Sequence, residues 1–122
     1  MAAISKKIDF QELIPTAMEC LGVAVSIIDT EGILLYYNKK AAKILDRKPE
    51  YIGNSVISHH KKTASTKKLK AMVQSFLEGR IEPYHYTAMP YGKTISVTLS
   101  PILKDDKLLG CVQVVHLKKT RE

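Results

Sequence analysis

Apolar positions in the first part of the chain follow a helical period. Leu13, Ile14, Ala17, Met18 and Leu21 recur close to helical spacing, which predicts an amphipathic helix. Asp9, with Glu12 three residues later, resembles a capping box in which Asp replaces Ser or Thr. Pro15 interrupts the apolar set. Either the helix kinks there, or its regular part begins near that proline, where a missing N–H costs nothing. Gly22 is a natural stop. The period then changes. Val23 to Ile28 is apolar and rich in β-branched residues, Asp29-Thr30-Glu31-Gly32 carries turn chemistry, and a second run ends at Asn38. This reads as two strands joined by a tight turn. Asn38 is suited to cap a helix over Lys39 to Leu45.

Pro49 and Gly53 then break the chain, with short helical turns expected around Lys48 to Ile52 and Ser55 to Ser58. From Ser65 to Glu78, Leu69, Met72, Val73, Phe76 and Leu77 form one apolar face, opposite Lys67, Lys68, Lys70 and Gln74. Gly79 ends that helix. Three strands follow. Glu82 to Met89 has Pro83 near its start and Pro90 just beyond its end, as an edge strand tolerates. Lys93 to Ser100 alternates strictly, with Ile95, Val97 and Leu99 on one face and Thr94, Ser96, Thr98 and Ser100 on the other. After a polar turn at Lys104 to Lys107, Leu108 to Leu117 is apolar on both faces. So is Val23 to Ile28, and a strand apolar on both faces is covered on both. The first and last strands should therefore be central, with helices over one face and the N-terminal helix, or a second copy, over the other.

Composition narrows the picture without changing it. The 122 residues are 45% hydrophobic, which suits one globular domain. No run approaches the roughly 18 apolar residues of a membrane span, and Met1 to Lys7 lacks the apolar stretch of a signal peptide. A cytoplasmic location is the expectation. Cys20 and Cys111 each sit in an apolar run and read as buried, reduced thiols. The net charge of +7 is spread over several segments, without recognition-helix or zinc-finger spacing, and reads as solvated surface.

The order of strand, Asp29-Thr30-Glu31-Gly32 turn, strand and Asn38-capped helix resembles the start of a PAS domain, a small sensory module. Ala41-Ala42 after Tyr37-Asn38, Ile52-Gly53, Leu77-Glu78-Gly79 and Leu109-Gly110 extend the likeness over roughly Leu21 to Leu117. The resemblance implies an α+β fold: a five-stranded antiparallel sheet flanked on one face by helices, with an N-terminal helix added. It divides the chain into an N-terminal helical cap (1–21), the PAS domain (22–117) and a basic C-terminal tail (118–122). Asp29, Gly32, Asn38 and Gly53 would be its structural positions. Gly53 to Thr63 is also similar to the Gly-x-x-Val-x-x-Cys-His-Pro-Pro-Lys-Ser segment of one PAS group. His60 falls on the motif histidine, His59 replaces the cysteine, and both prolines are missing.

Ligands implied by the resemblance include haem, flavin and small metabolites. The Asn-Cys-Arg-Phe-Leu type motif of light-sensing flavin PAS domains does not occur, so flavin is not expected. Haem-binding relatives place a histidine in the long helix, and Ser65 to Glu78 has none. Haem would then depend on His59 or His60, which otherwise read as a surface or loop-anchoring pair.

The candidate ligand-binding residues are His59, His60, Met72, Phe76, Tyr84, Tyr86, Ser96 and Thr98. Tyr84 and Tyr86 share one strand face, opposite His85, and suit a planar ligand or core cover. Met72 and Phe76 would wall a cavity or form core. Ser96 and Thr98 offer hydroxyls to a ligand only if their face looks inward; facing outward, they are an ordinary solvated strand face. His116 reads as structural. No nucleophile elbow, phosphate loop or paired metal-ligand motif is present, which leaves an enzyme the least supported reading. The favoured one is a PAS sensor that binds a small molecule between long helix and sheet. It would relay the change through dimerisation or the N-terminal helix, in signal transduction or transcription regulation, to an output partner the sequence does not name. The alternatives are a dimerisation module without a ligand, and nucleic-acid binding through the lysines.

Overall fold

A computed structural model describes residues 9–56, 64–89 and 92–118, and of residues 64–66 the backbone alone. The elements run α1 (Phe10–Cys20), β1 (Ala24–Asp29), β2 (Leu34–Tyr37), α2 (Lys39–Ile44), a 3-10 turn (Pro49–Tyr51), α3 (Ala64–Leu77), β3 (Tyr84–Ala88), β4 (Ile95–Lys104) and β5 (Lys107–Leu117). The strands form one antiparallel sheet in the order β2-β1-β5-β4-β3. The two strands that are apolar on both faces, β1 and β5, are both interior. Strand β3, flanked by its prolines, is an edge. The architecture is α+β, as the element order implied.

Local chemistry accounts for each junction. The Asp29 side chain accepts from the Glu31 and Ile33 N–H groups at 2.8 and 2.9 Å, and Gly32 adopts φ +83°, which closes the β1–β2 turn. Asn38 caps α2 by accepting from the Ala41 N–H at 2.9 Å. The Gly53 N–H returns to the Leu34 carbonyl at 2.8 Å and ties the 3-10 segment to β2. At the β4–β5 turn Asp105 and Asp106 both take left-handed backbone, φ 52° and 64°, the geometry of a type I′ hairpin. Strand β4 runs past its expected end at Ser100 to Lys104. Beyond Leu99 it has left its pairing with β3 and keeps only β5 beside it, where Pro101 removes little.

The core lies between one sheet face and the helices α2 and α3. One apolar cluster gathers Ile28, Leu34 and Cys111 under Met72, Val73 and Phe76. A second gathers Ala24, Ile95, Val97 and Val115 under Ala41 and Ile44. Helix α1 is continuous across Pro15, starts where the Asp9 carboxylate accepts from the Gln11 N–H at 2.9 Å, and buries none of its residues. It meets α2 and the end of β2, not a sheet face, so its apolar stripe is left in solvent: Phe10 is 75% and Ile14 62% exposed. The same fact corrects the reading of Cys20, which is exposed because it rides on α1; Cys111 is buried.

Candidate functional site

Strand pairing lays a row of side chains across the inner sheet face. Ser26 on β1 stands opposite Tyr37 on β2 and Gln113 on β5; Gln113 stands opposite Leu99 on β4, and Leu99 opposite Tyr84 on β3. Ser26, Gln113 and the two tyrosines thus place polar atoms in the middle of an apolar interior. The row marks the seam between the two apolar clusters, and Tyr37 and Tyr86 pack against both.

Four groups meet there. Arg47 enters from the loop after α2, next to Asp46, whose left-handed φ of 55° turns the chain. Its guanidinium Nη2 donates to Gln113 Oε1 at 3.3 Å. Gln113 also hydrogen-bonds the Tyr86 hydroxyl. Burial raises the Tyr86 pKa, and the bond to Gln113 offsets part of that rise. Ser26 is 1% exposed, and among the described residues its hydroxyl has no hydrogen-bond partner.

The roof of the site is α3. Met72 and Phe76 are buried against the sheet. Phe76 meets the Tyr84 ring at a 5.4 Å centroid separation, and the Ser75 and Tyr84 hydroxyls are 2.6 Å apart. Cations cover both tyrosine rings: the Arg80 guanidinium lies 3.8 Å from the Tyr84 centroid and the Lys68 ammonium 4.6 Å from that of Tyr86.

The structure therefore brings Met72, Phe76, Tyr84 and Tyr86 together on the inner side. Ser96 and Thr98 are corrected. They alternate with Ile95, Val97 and Leu99, which puts their hydroxyls on the face turned away from α2 and α3. Thr98 spends its hydroxyl there on His85 Nδ1, at 3.0 Å. His116 pairs with Ser96 on that same outer face. His59 and His60, and with them the haem reading, lie outside the described residues. Among the described residues no group of three or more His, Cys, Asp or Glu is placed to hold a metal ion. Sequence reasoning missed Ser26, Arg47 and Gln113. A signal existed for two of them, since Ser26 and Gln113 are the polar interruptions of the two runs read as apolar on both faces.

A second polar junction lies between the site and α1. Asn38 is fully buried. Its Oδ1 accepts from the Val25 and Ala41 N–H groups at 3.0 and 2.9 Å, and its Nδ2 donates to the Met18 and Val23 carbonyls at 2.8 and 3.0 Å. One side chain thus ties α1, β1 and α2 together. Glu19 of α1 adds to the joint by accepting from the Tyr36 hydroxyl and from the Lys39 N–H, the latter at 3.0 Å. Burial, then this bond and the charge of Glu19, push the Tyr36 phenol up to about 12.

A family model described as PAS domain matches residues 17–116. Among solved structures, the chain is similar to the PAS domain of BvgS from Bordetella pertussis, with 13% identity and a TM-score of 0.73 over 93% of this chain and 90% of that one. It is similar also to a C-terminal domain from Streptococcus mutans, with 20% identity and a TM-score of 0.70 over 88% and 84% of the two chains. The PAS domain of the histidine kinase ThkA matches with 20% identity and a TM-score of 0.57, over 76% and 96%. No curated protein matches the chain significantly. No described helix is long and apolar enough to cross a membrane. With a family model spanning most of its length, the chain belongs to the PAS domain family.

Proposed function

We propose that this chain is a sensory PAS domain. It holds a small molecule between α3 and the inner sheet face and passes the change to α1, through which two copies associate. One observation carries the reading: an arginine, a glutamine, a tyrosine and a buried serine hydroxyl with no partner among the described residues converge inside an otherwise apolar interior. A domain built only to pack would fill that seam with aliphatic side chains, because buried polar groups are costly unless they are bonded. A mostly apolar pocket with a few convergent polar groups is what small-molecule sites look like.

The relay follows from connectivity. Ser26 and Val25 are neighbours on β1, and the Val25 N–H is held by Asn38, which also holds the last turn of α1 through Met18. A ligand that shifts β1 or α2 therefore shifts the anchor of α1. The exposed Phe10, Ile14 and Leu21 stripe is the surface we assign to a second copy. The similarity to the PAS domain of a histidine kinase supports a setting in signal transduction. The reading is of a sensor, not a catalyst, that works in the cytoplasm.

The test is native mass spectrometry and absorption spectroscopy on the purified protein, followed by a thermal-shift screen of small metabolites and analytical ultracentrifugation. Binding to the folded state alone raises stability, by about 2.7 kcal/mol at one hundred times the dissociation constant. A retained or stabilising ligand together with a dimer is expected. A protein that is monomeric, carries nothing and responds to nothing overturns the proposal.

A further inference from the structure

We infer that the ligand is a small organic carboxylate with an apolar tail, its carboxylate gripped by Arg47 and completed by the Ser26 hydroxyl. This rests on the proposed sensory function and names the chemistry of that same site. A guanidinium presents its donors in a flat fork that matches the two oxygens of a carboxylate. Here the fork is oriented from within: Gln113 takes one Nη2 hydrogen at 3.3 Å and is itself held by the Tyr86 hydroxyl. Gln113 thus acts as a positioning residue. Ser26 is its direct partner across β1 and β5. The Ser26 hydroxyl is nine-tenths buried or more and has no partner among the described residues. A ligand oxygen placed beside Arg47 supplies one.

The surroundings select the sign and the tail. Lys68 stands over the Tyr86 ring, so a second cation faces the same tyrosine from α3. The chain as a whole carries +7. Positive potential on that scale draws anions toward a cleft. Beyond the polar seam lie Met72 and Phe76, apolar side chains packed against the sheet, which suit a short alkyl or aromatic tail.

The experiment compares butyrate, benzoate, phenylacetate and succinate with their primary amides, and adds benzene as a neutral apolar probe. Thermal shift and isothermal titration are run on the whole chain. At least one monocarboxylate is expected to bind saturably, with its amide at least tenfold weaker and succinate weaker than the best monocarboxylate. Arg47→Met should cost roughly tenfold to hundredfold in affinity for the acid, the range of a lost charge-assisted bond, while leaving the circular dichroism unchanged. Ser26→Ala should cost less, roughly threefold to tenfold, by the loss of one neutral bond. Gln113→Glu is the control that does not depend on Arg47→Met folding. It places a resident carboxylate against Arg47, and should abolish acid binding in a folded protein. Amides that bind as well as acids, or an Arg47→Met protein with undiminished acid affinity, overturn the inference and leave the sensory reading standing. If acids, amides and benzene all fail to bind, the carboxylate inference falls, and the sensory reading falls with it only if the metabolite screen and the ultracentrifugation are also negative.

Discussion

At the scale of single residues, Asn38 and Cys111 show how far a side chain's role depends on where the fold puts it. The sequence makes Asn38 a helix cap, because Asn before a helical run has one obvious use. Its amide nitrogen does more, holding the Met18 and Val23 carbonyls, and that was not legible because both acceptors depend on where α1 comes to rest. Asn38→Ala would leave two N–H groups and two carbonyls without their partner in the interior. With each such group costing about 1–3 kcal/mol, we expect a loss of about 4 kcal/mol in urea unfolding. Cys111 carries a different prediction. Burial pushes its thiol from 9.0 up to about 11. An unfolded chain releases that proton near the ordinary value while the folded chain keeps it, so unfolding releases protons between the two. The contribution of Cys111 should be fully present below pH 9 and be lost as pH rises toward 11, and Cys111→Ala should make the fall of the melting temperature over that window shallower. With a disulfide-exchange reagent at neutral pH, Cys20 should react in the native protein and Cys111 only on unfolding, since α1 leaves the first thiol in solvent and the sheet closes over the second.

At the scale of elements, apolar spacing defined the faces of α1 and α3 but named a partner for neither. For α3 the answer came from topology, which places the sheet beneath Met72, Val73 and Phe76. For α1 the spacing allowed the sheet or a second copy, and among the described residues its side-chain hydrogen bonds to the rest of the fold lie near its C-terminal end, at Glu19 and the Met18 carbonyl. Glu19 is the part that substitution can reach. Glu19→Ala removes the acceptor for the Tyr36 hydroxyl and the Lys39 N–H, and should lower hydrogen-exchange protection over residues 10–20 by about 1–2 kcal/mol while leaving β1 and β5 unchanged. Ile14→Glu, which puts a charge into the exposed stripe, should turn a dimer into a monomer in sedimentation and leave the unfolding free energy of the monomer within about 0.5 kcal/mol. Between strands, Gly110 is set by close approach. A Cβ there would lie 2.2 Å from the Ile28 carbonyl oxygen. Since the clash is with backbone of the neighbouring central strand, Gly110→Ala should destabilise by about 3 kcal/mol in denaturant unfolding.

At the scale of the whole molecule, the fold was legible and the centre of the site was not, for one reason. Turns, caps and faces are local, and Asp29 to Gly32, Asn38 and the Leu69 to Phe76 face announce themselves within a few residues. The polar seam is assembled from β1, the loop after α2 and β5, with Arg47 and Gln113 separated by 66 positions in the chain. No spacing rule joins them. The tyrosines of β3 were found because they share one strand face, whereas Ser96 and Thr98 were left open because alternation alone does not say which face looks inward. The seam also carries a stability cost, and this gives the molecule-wide reading its sharpest test. If Ser26 keeps a hydroxyl in the interior for a ligand, removing it should help the empty protein. Ser26→Ala deletes a buried oxygen that has no partner among the described residues and leaves a small space between Gln113 and Tyr37. Without ligand it should raise the unfolding free energy by about 1 kcal/mol, since the desolvation cost of the hydroxyl disappears and little packing is lost. The same variant should bind the carboxylate less well, the usual exchange of stability for function at a binding site. A Ser26→Ala protein that is less stable than the parent in the absence of ligand would mean that the hydroxyl serves the fold, and the seam would then be structural.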